Sequence, residues 1–100
     1  MAATLPPPRR LPSGDSAITV EFSRSIDDVA NRRVLALDRA MAAERVVGVT
    51  ETEPTYRSLL VHYDPVQVEF DRLGGQILAV AERLDLIQGD YADPATWEAL

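Results

Sequence analysis

Tyr56, Arg57 and Ser58 stand side by side at the entry to an apolar run, and His62, the single histidine of the chain, lies within that run. The guanidinium of Arg57 is a planar fork whose paired N–H donors match the two oxygens of a carboxylate or a phosphate. Two readings of it stand. Arg57 either faces a ligand or clamps an internal carboxylate, with Asp15 or Glu21 the partner across a sheet. Asp15 sits in Gly14-Asp15-Ser16, where its carboxylate is either presented at a loop or bonded to its own backbone in an Asx turn. His62 is the only histidine available for such chemistry. Standing alone it reads more readily as a satisfied surface or interface residue than as a catalyst.

The wider composition limits what such groups can do. The chain has 100 residues, no cysteine and one histidine. Disulfides, a thiol nucleophile and a Cys-type zinc site are therefore out, and a His-based triad or a metal centre within this chain is not expected. Nothing supplies a nucleophile, a base and an orienting group together. Gly74-Gly75 falls inside a helical pattern and lacks the spacing of a phosphate-binding loop. Net charge is −6, and all ten basic residues are arginine. That balance argues against nucleic acid, whose phosphates demand a basic surface. No apolar run approaches the roughly 18 residues of a membrane span, and no signal-peptide pattern opens the chain. A cytoplasmic protein with no membrane partner is the expectation. Apolar residues at 46% and charged residues at 26% are ordinary for one globular domain.

The elements that must position these residues are legible in the periodicity. Leu59 to Tyr63 has the composition of a buried strand, and Asp64-Pro65 stops it, since proline gives the ladder no N–H. Leu59, Val61 and Tyr63 share one face, leaving Ser58, Leu60 and His62 on the other. Ser16 to Phe22 alternates as a half-buried strand, entered through the Ser13-Gly14-Asp15 turn. A short strand is expected near Arg9 to Leu11. Ile26, Ala30, Val34, Leu37 and Met41 form the stripe of a first helix, with Ser25 as its cap, Asp28 completing a capping box, and Arg45 and Gly48 at its end. Asn31, on its polar side, is expected to be solvated. Val47 to Glu53 reads as a weaker strand, partly facing water or at an edge, because Glu51 and Glu53 share parity with Val47 and Val49. Phe70, Leu73, Ile77, Val80 and Leu84 mark a second helix that ends before Gly89. Gly74 falls on its buried side, where it either permits a close approach or is simply tolerated. The order predicts an α+β two-layer sandwich, with an antiparallel sheet carrying two helices on one face (β2-α-β2-α).

Three segments together resemble a known family: Leu11 to Phe22, Asn31 to Leu37, and Gly48-Val-Thr-Glu51 running through Pro54-Thr-Tyr-Arg-Ser-Leu-Leu-Val-His-Tyr-Asp-Pro65. The set is similar to the N-terminal domain of the allophanate hydrolase subunit 1 family. That family includes the B component of 5-oxoprolinase, a part of urea amidolyase, and the sporulation kinase inhibitor KipI. Ser23, where glycine is common, and Glu53, where an apolar residue is common, depart from its pattern. The resemblance implies the same β2-α-β2-α domain over residues 9–88, with a flexible Pro-rich tail at 1–8 and a tail or linker at 89–100. Trp97 in that last stretch is either an anchor onto the core or the start of an outside contact. The cyclophilin-like barrel that usually follows is not expected within this chain. The resemblance further implies a subunit-assembly role in a 5-oxoprolinase or allophanate-hydrolase-like complex, with other subunits of the hydrolase as partners. The alternative is a KipI-like inhibitor whose partner is a histidine kinase. It implies no cofactor in this chain itself, ATP being used by the assembled complex. On this basis Asp15 and Arg57 are the candidate catalytic residues. Gly14, Asp15, Ser16, Tyr56, Arg57, Ser58 and His62 are the candidate substrate- or partner-binding residues, and no metal ligand is assigned.

Overall fold

The structure, a computed structural model, describes residues 7–24 and 27–88. The expected tail over residues 89–100, Trp97, most of the Pro-rich start, Ser25 and Ile26 lie outside the described residues. Four strands and two helices follow in the order β1 (Arg9–Pro12), β2 (Ala17–Glu21), α1 (Asp28–Glu44), β3 (Val49–Pro54), β4 (Ser58–Tyr63) and α2 (Phe70–Gln88). The sheet order is β1-β2-β4-β3 and every pairing is antiparallel. This is the two-layer α+β sandwich that the alternation predicts.

Period-two alternation divides the sheet into two faces. Ile18 pairs with Val61 and Val20 with Leu59 on the side the helices cover, and all four are fully buried. Phe22, Tyr63 and Val68 complete that layer. Against it α1 packs Ala30, Val34, Leu37 and Met41, and α2 packs Leu73, Ile77 and Val80 of the stripes read from the helical spacing, with Phe70 and Leu84 half-buried beside them and Ala81 added to the core. The opposite face carries three cross-strand rows: Arg9–Glu21–Ser58, Leu11–Thr19–Leu60–Glu53, and Ala17–His62–Glu51. No helix among the described residues covers that face, and none is long and apolar enough to cross a membrane.

Two local features differ from the sequence reading, and the end of α1 agrees with it. The α1 cap is Asp27, not Ser25: its backbone is extended (φ −148°, ψ 122°) and its carboxylate accepts from the N–H groups of Val29 and Ala30. Asp28 is thus the first helical residue and supports the helix dipole instead of closing a capping box. At the other end Arg45 itself takes the left-handed conformation (φ 48°), while Gly48 (φ 89°) turns the chain into β3. A Cβ on Gly48 would collide with a Val68 methyl, so glycine is required there for both conformation and space. Finally, β3 is an edge strand with a bulge between Val49 and Glu51. Val49 pairs with Tyr63, whereas Glu51 pairs with His62 on the opposite face. One extra residue reverses the parity, so the valine points at the core and the glutamates at solvent. A regular alternation over Val47 to Glu53 does not hold.

Candidate functional site

Strand β4 brings the candidate residues onto one surface. Ser58 and His62 project from the open face on either side of Leu60, because they share its parity. Tyr56 and Arg57 precede β4 at one end of the ladder, where the Phe22 N–H donates to the Arg57 carbonyl at 2.9 Å. The Gly14-Asp15-Ser16 turn lies at the other end, where the Tyr63 N–H donates to the Ser16 carbonyl at 2.9 Å. Between them runs the Ala17–Glu21 strand, about 14 Å long at some 3.4 Å per residue. Asp15 and Arg57 therefore do not meet.

Each end is held by its own network. In the turn, Gly14 has φ 73° and Ser13 N–H donates to the Ala17 carbonyl at 2.9 Å. Asp15 is exposed and its carboxylate accepts no hydrogen bond among the described residues, so the Asx turn is not formed. The backbone closes the hairpin and leaves the carboxylate outside. At the far end Tyr56 is tied to the start of α1. Its hydroxyl donates to the Asp28 carboxylate, and its carbonyl accepts from the Asn31 amide at 3.1 Å. Asn31 is thus a tether and not a solvated side chain. The bond to Asp28 favours the neutral phenol, and with desolvation and the nearby negative charge it raises the Tyr56 pKa above its ordinary value. Thr55 and Ser58 close the bend: Thr55 N–H donates to the Ser58 carbonyl at 2.8 Å and the two hydroxyls lie 2.7 Å apart.

Arg57 clamps neither Asp15 nor Glu21. Its Nη1 donates to the Arg24 carbonyl. Glu21 is bonded instead by Arg9, its neighbour across the β1–β2 ladder, at 2.7 Å. That hydrogen bond, joined by the positive fields of Arg9, Arg57 and Arg24, holds the Glu21 carboxyl below the usual range. On the open face His62 Nε2 lies 2.7 Å from a Glu53 carboxylate oxygen. The convergence of Arg9 and Arg24 on Arg57 is not readable from spacing, because a hairpin and a loop carry them to one place. The one usable signal is Arg9 against Glu21, opposite charges facing each other across a short hairpin.

The described residues contain no group of three or more His, Cys, Asp or Glu side chains able to hold a metal. A shallow groove of ≈ 320 Å³ lies elsewhere, between the end of α1 and β3, lined by Met41, Arg45, Val46 and Val49 among others. It brings together no acid–base pair. The candidate residues thus lie on and around the open sheet face, with a carboxylate at one end of the ladder and arginines at the other.

Comparison with known proteins supports a family assignment. The family described as carboxyltransferase domain, subdomain C and D, matches residues 8–98. Among solved structures, the conserved uncharacterized protein PH0987 from Pyrococcus horikoshii is 32% identical over 81% of this chain, with a TM-score of 0.73. The chain spans only 38% of that relative. Urea carboxylase and urea amidolyase from Kluyveromyces lactis are each 23% identical with a TM-score of 0.74. They cover 81% of this chain, which spans 7% and 5% of theirs, and at that identity the likeness is one of fold. Curated protein sequences give no match.

Proposed function

We propose that this chain, which belongs to the carboxyltransferase-domain family of subdomains C and D, works as an assembly domain of an ATP-dependent amide-hydrolysing complex. The reading in finer detail is a part equivalent to the B component of 5-oxoprolinase, acting with partner subunits that open the cyclic amide of 5-oxoproline to glutamate. One observation carries it. A sheet with helices on one face leaves Leu11, Leu60, Ser58 and His62 on a face that no described element covers. The likeness to small parts of much longer chains, two of them named for acting on urea, supports the same reading.

The described residues offer no nucleophile paired with a base, so chemistry falls to the partners. ATP is consumed there, and this chain contributes position and charge. Arg57 forms part of the wall of the shared site, with Tyr56 and Ser58 fixing the bend that carries it. Asp15, at the far rim, contacts a partner and not the same small substrate. Reconstitution with the partner hydrolase subunits, followed by 5-oxoproline turnover, tests this. Arg57→Ala is expected to lower kcat by about a hundredfold, the order found for loss of one charged or oxyanion-stabilising donor, with the melting temperature unchanged. Unchanged turnover would remove Arg57 from the site. Failure of the chain to join the hydrolase, with stoichiometric binding to a histidine kinase instead, would replace the metabolic reading by the inhibitor one.

A further inference from the structure

The end of the ladder that carries Arg57 is a cationic corner on an acidic protein. The chain as a whole carries −6, yet Arg9, Arg24 and Arg57 all lie close enough to Glu21 for their charges to act on its carboxylate. Their commitments are unequal. Arg9 is spent on Glu21 at 2.7 Å. Arg57 uses Nη1 on the Arg24 carbonyl, and its Nε and Nη2 have no partner among the described residues. The Arg24 guanidinium likewise donates no hydrogen bond among the described residues, and both side chains are exposed. The carbonyl bond also has a mechanical effect. It fixes the plane of the Arg57 guanidinium, so less rotamer freedom remains to be lost when the open edge takes a ligand.

We infer that the open edge of Arg57, with Arg24 beside it, is a binding site for a small carboxylate. This deepens the placement of Arg57 in a ligand-binding wall and rests on that placement for this residue alone. A free Nε–Nη2 edge presents two parallel N–H donors, which is the geometry of a planar two-oxygen group. Glu21 already occupies the neighbouring position, so the corner demonstrably accepts a carboxylate. Phosphate fits less well. The N–H groups of Val29 and Ala30 at the start of α1, a natural anion-binding end, are already taken by Asp27. Asp28 is held beside them by Tyr56, so a dianion would meet two further negative charges. Glu21 then sets the affinity, by holding Arg9 back and by adding one negative charge.

The test is a titration of the whole chain with acetate, and separately with inorganic phosphate, against chloride at matched ionic strength. The signals followed are the arginine Nε–Hε resonances in ¹⁵N-correlated spectra. Acetate is expected to shift Arg24 and Arg57 saturably, and phosphate to bind more weakly. Arg57→Lys, which keeps the charge but not the fork, is expected to weaken acetate about tenfold. Glu21→Gln is expected to tighten it severalfold, a direction that general damage to the fold would not give. Shifts equal to those in chloride, tighter binding of phosphate, or no effect of Glu21→Gln would each overturn the inference. Assembly with the hydrolase subunits is read in the reconstitution above, so the two readings fail separately.

Discussion

Among single residues, Arg33 has the most exacting position. It is 3% exposed, its Nη2 and Nε lie 2.7 and 3.2 Å from the two Asp85 oxygens, and its guanidinium sits 4.6 Å from the centroid of the Phe22 ring. One buried cation thereby links α1, α2 and the end of β2. Such a pair adds little over a well-packed apolar substitute, but removing the Asp85 charge leaves a buried guanidinium without this counter-charge. Asp85→Asn is therefore expected to destabilise by about 3 kcal/mol, whereas the double change Arg33→Met with Asp85→Leu should recover most of that loss. Urea unfolding at constant m-value reads both; equal losses would mean that Arg33 matters only for its bulk. Nothing in the sequence announces the pair, whose members are 52 positions apart. Tyr56 offers a second test. Its folded-state pKa is raised, so the stability it contributes is fully present below the ordinary tyrosine value of about 10 and is lost as pH rises through the folded value. The difference in absorbance titration between the native chain and Tyr56→Phe should thus place this phenol above its ordinary value, and Asp28→Asn should bring it back. No change on Asp28→Asn would show that the hydroxyl bond is not the cause.

At the scale of elements, Gly74 and Gly75 look alike in sequence and differ in structure. Each lies inside α2, where glycine costs about 1 kcal/mol relative to alanine. Gly75 is exposed, and a Cβ there would meet no neighbouring atom; a Cβ at Gly74 would collide with Arg10 Nη1 and fall 2.7 Å from its Cδ. Arg10 crosses there from β1 to donate to the Asp71 carbonyl at 3.0 Å, 5.5 Å from the Phe70 ring centroid. Gly75→Ala should consequently stabilise by about 1 kcal/mol. Gly74→Ala should gain nothing, because displacing Arg10 offsets the helix propensity. Thermal unfolding of the two variants checks this, and equal stabilisation would mean the Arg10 strap contributes nothing. The close approach can be anticipated from the position of Gly74 on the buried stripe; that an arginine from the first strand makes it cannot. The same division holds more widely. Helix stripes and strand faces are legible because burial imposes a period on the sequence. The bulge in β3, the shift of the cap to Asp27 and the separation of Asp15 from Arg57 are not, since each depends on how strands pair and where the chain enters its helix.

For the molecule as a whole, that separation changes what the candidate residues are. Asp15 and Arg57 lie at opposite ends of the ladder, with Ser58, Leu60 and His62 between them, so on the proposed reading they would frame a docking surface and not a pocket. Its size is informative. Four strands about 4.8 Å apart and roughly 15 Å long give a projected footprint of about 300 Å², which even with the relief of its side chains falls short of the roughly 800 Å² of accessible surface each partner buries in a stable interface. A partner that stays on the sheet would be held too weakly, so it must overrun the face onto its rims. Contributions are then expected from the apolar centre and from both ends. Leu60 is the central probe: it lies half-buried between Thr19 and Glu53, away from the core. Leu60→Arg should leave the unfolding free energy within about 0.5 kcal/mol of the native chain, as for a surface change. The same change should abolish co-purification with the hydrolase subunits. Asp15→Ala, at the rim, should weaken that association only severalfold, as expected for a rim charge, and more so at low salt. Retained assembly in Leu60→Arg would move the interface to the helices, whereas loss of the fold itself would show that the uncovered face is stabilised from within the chain.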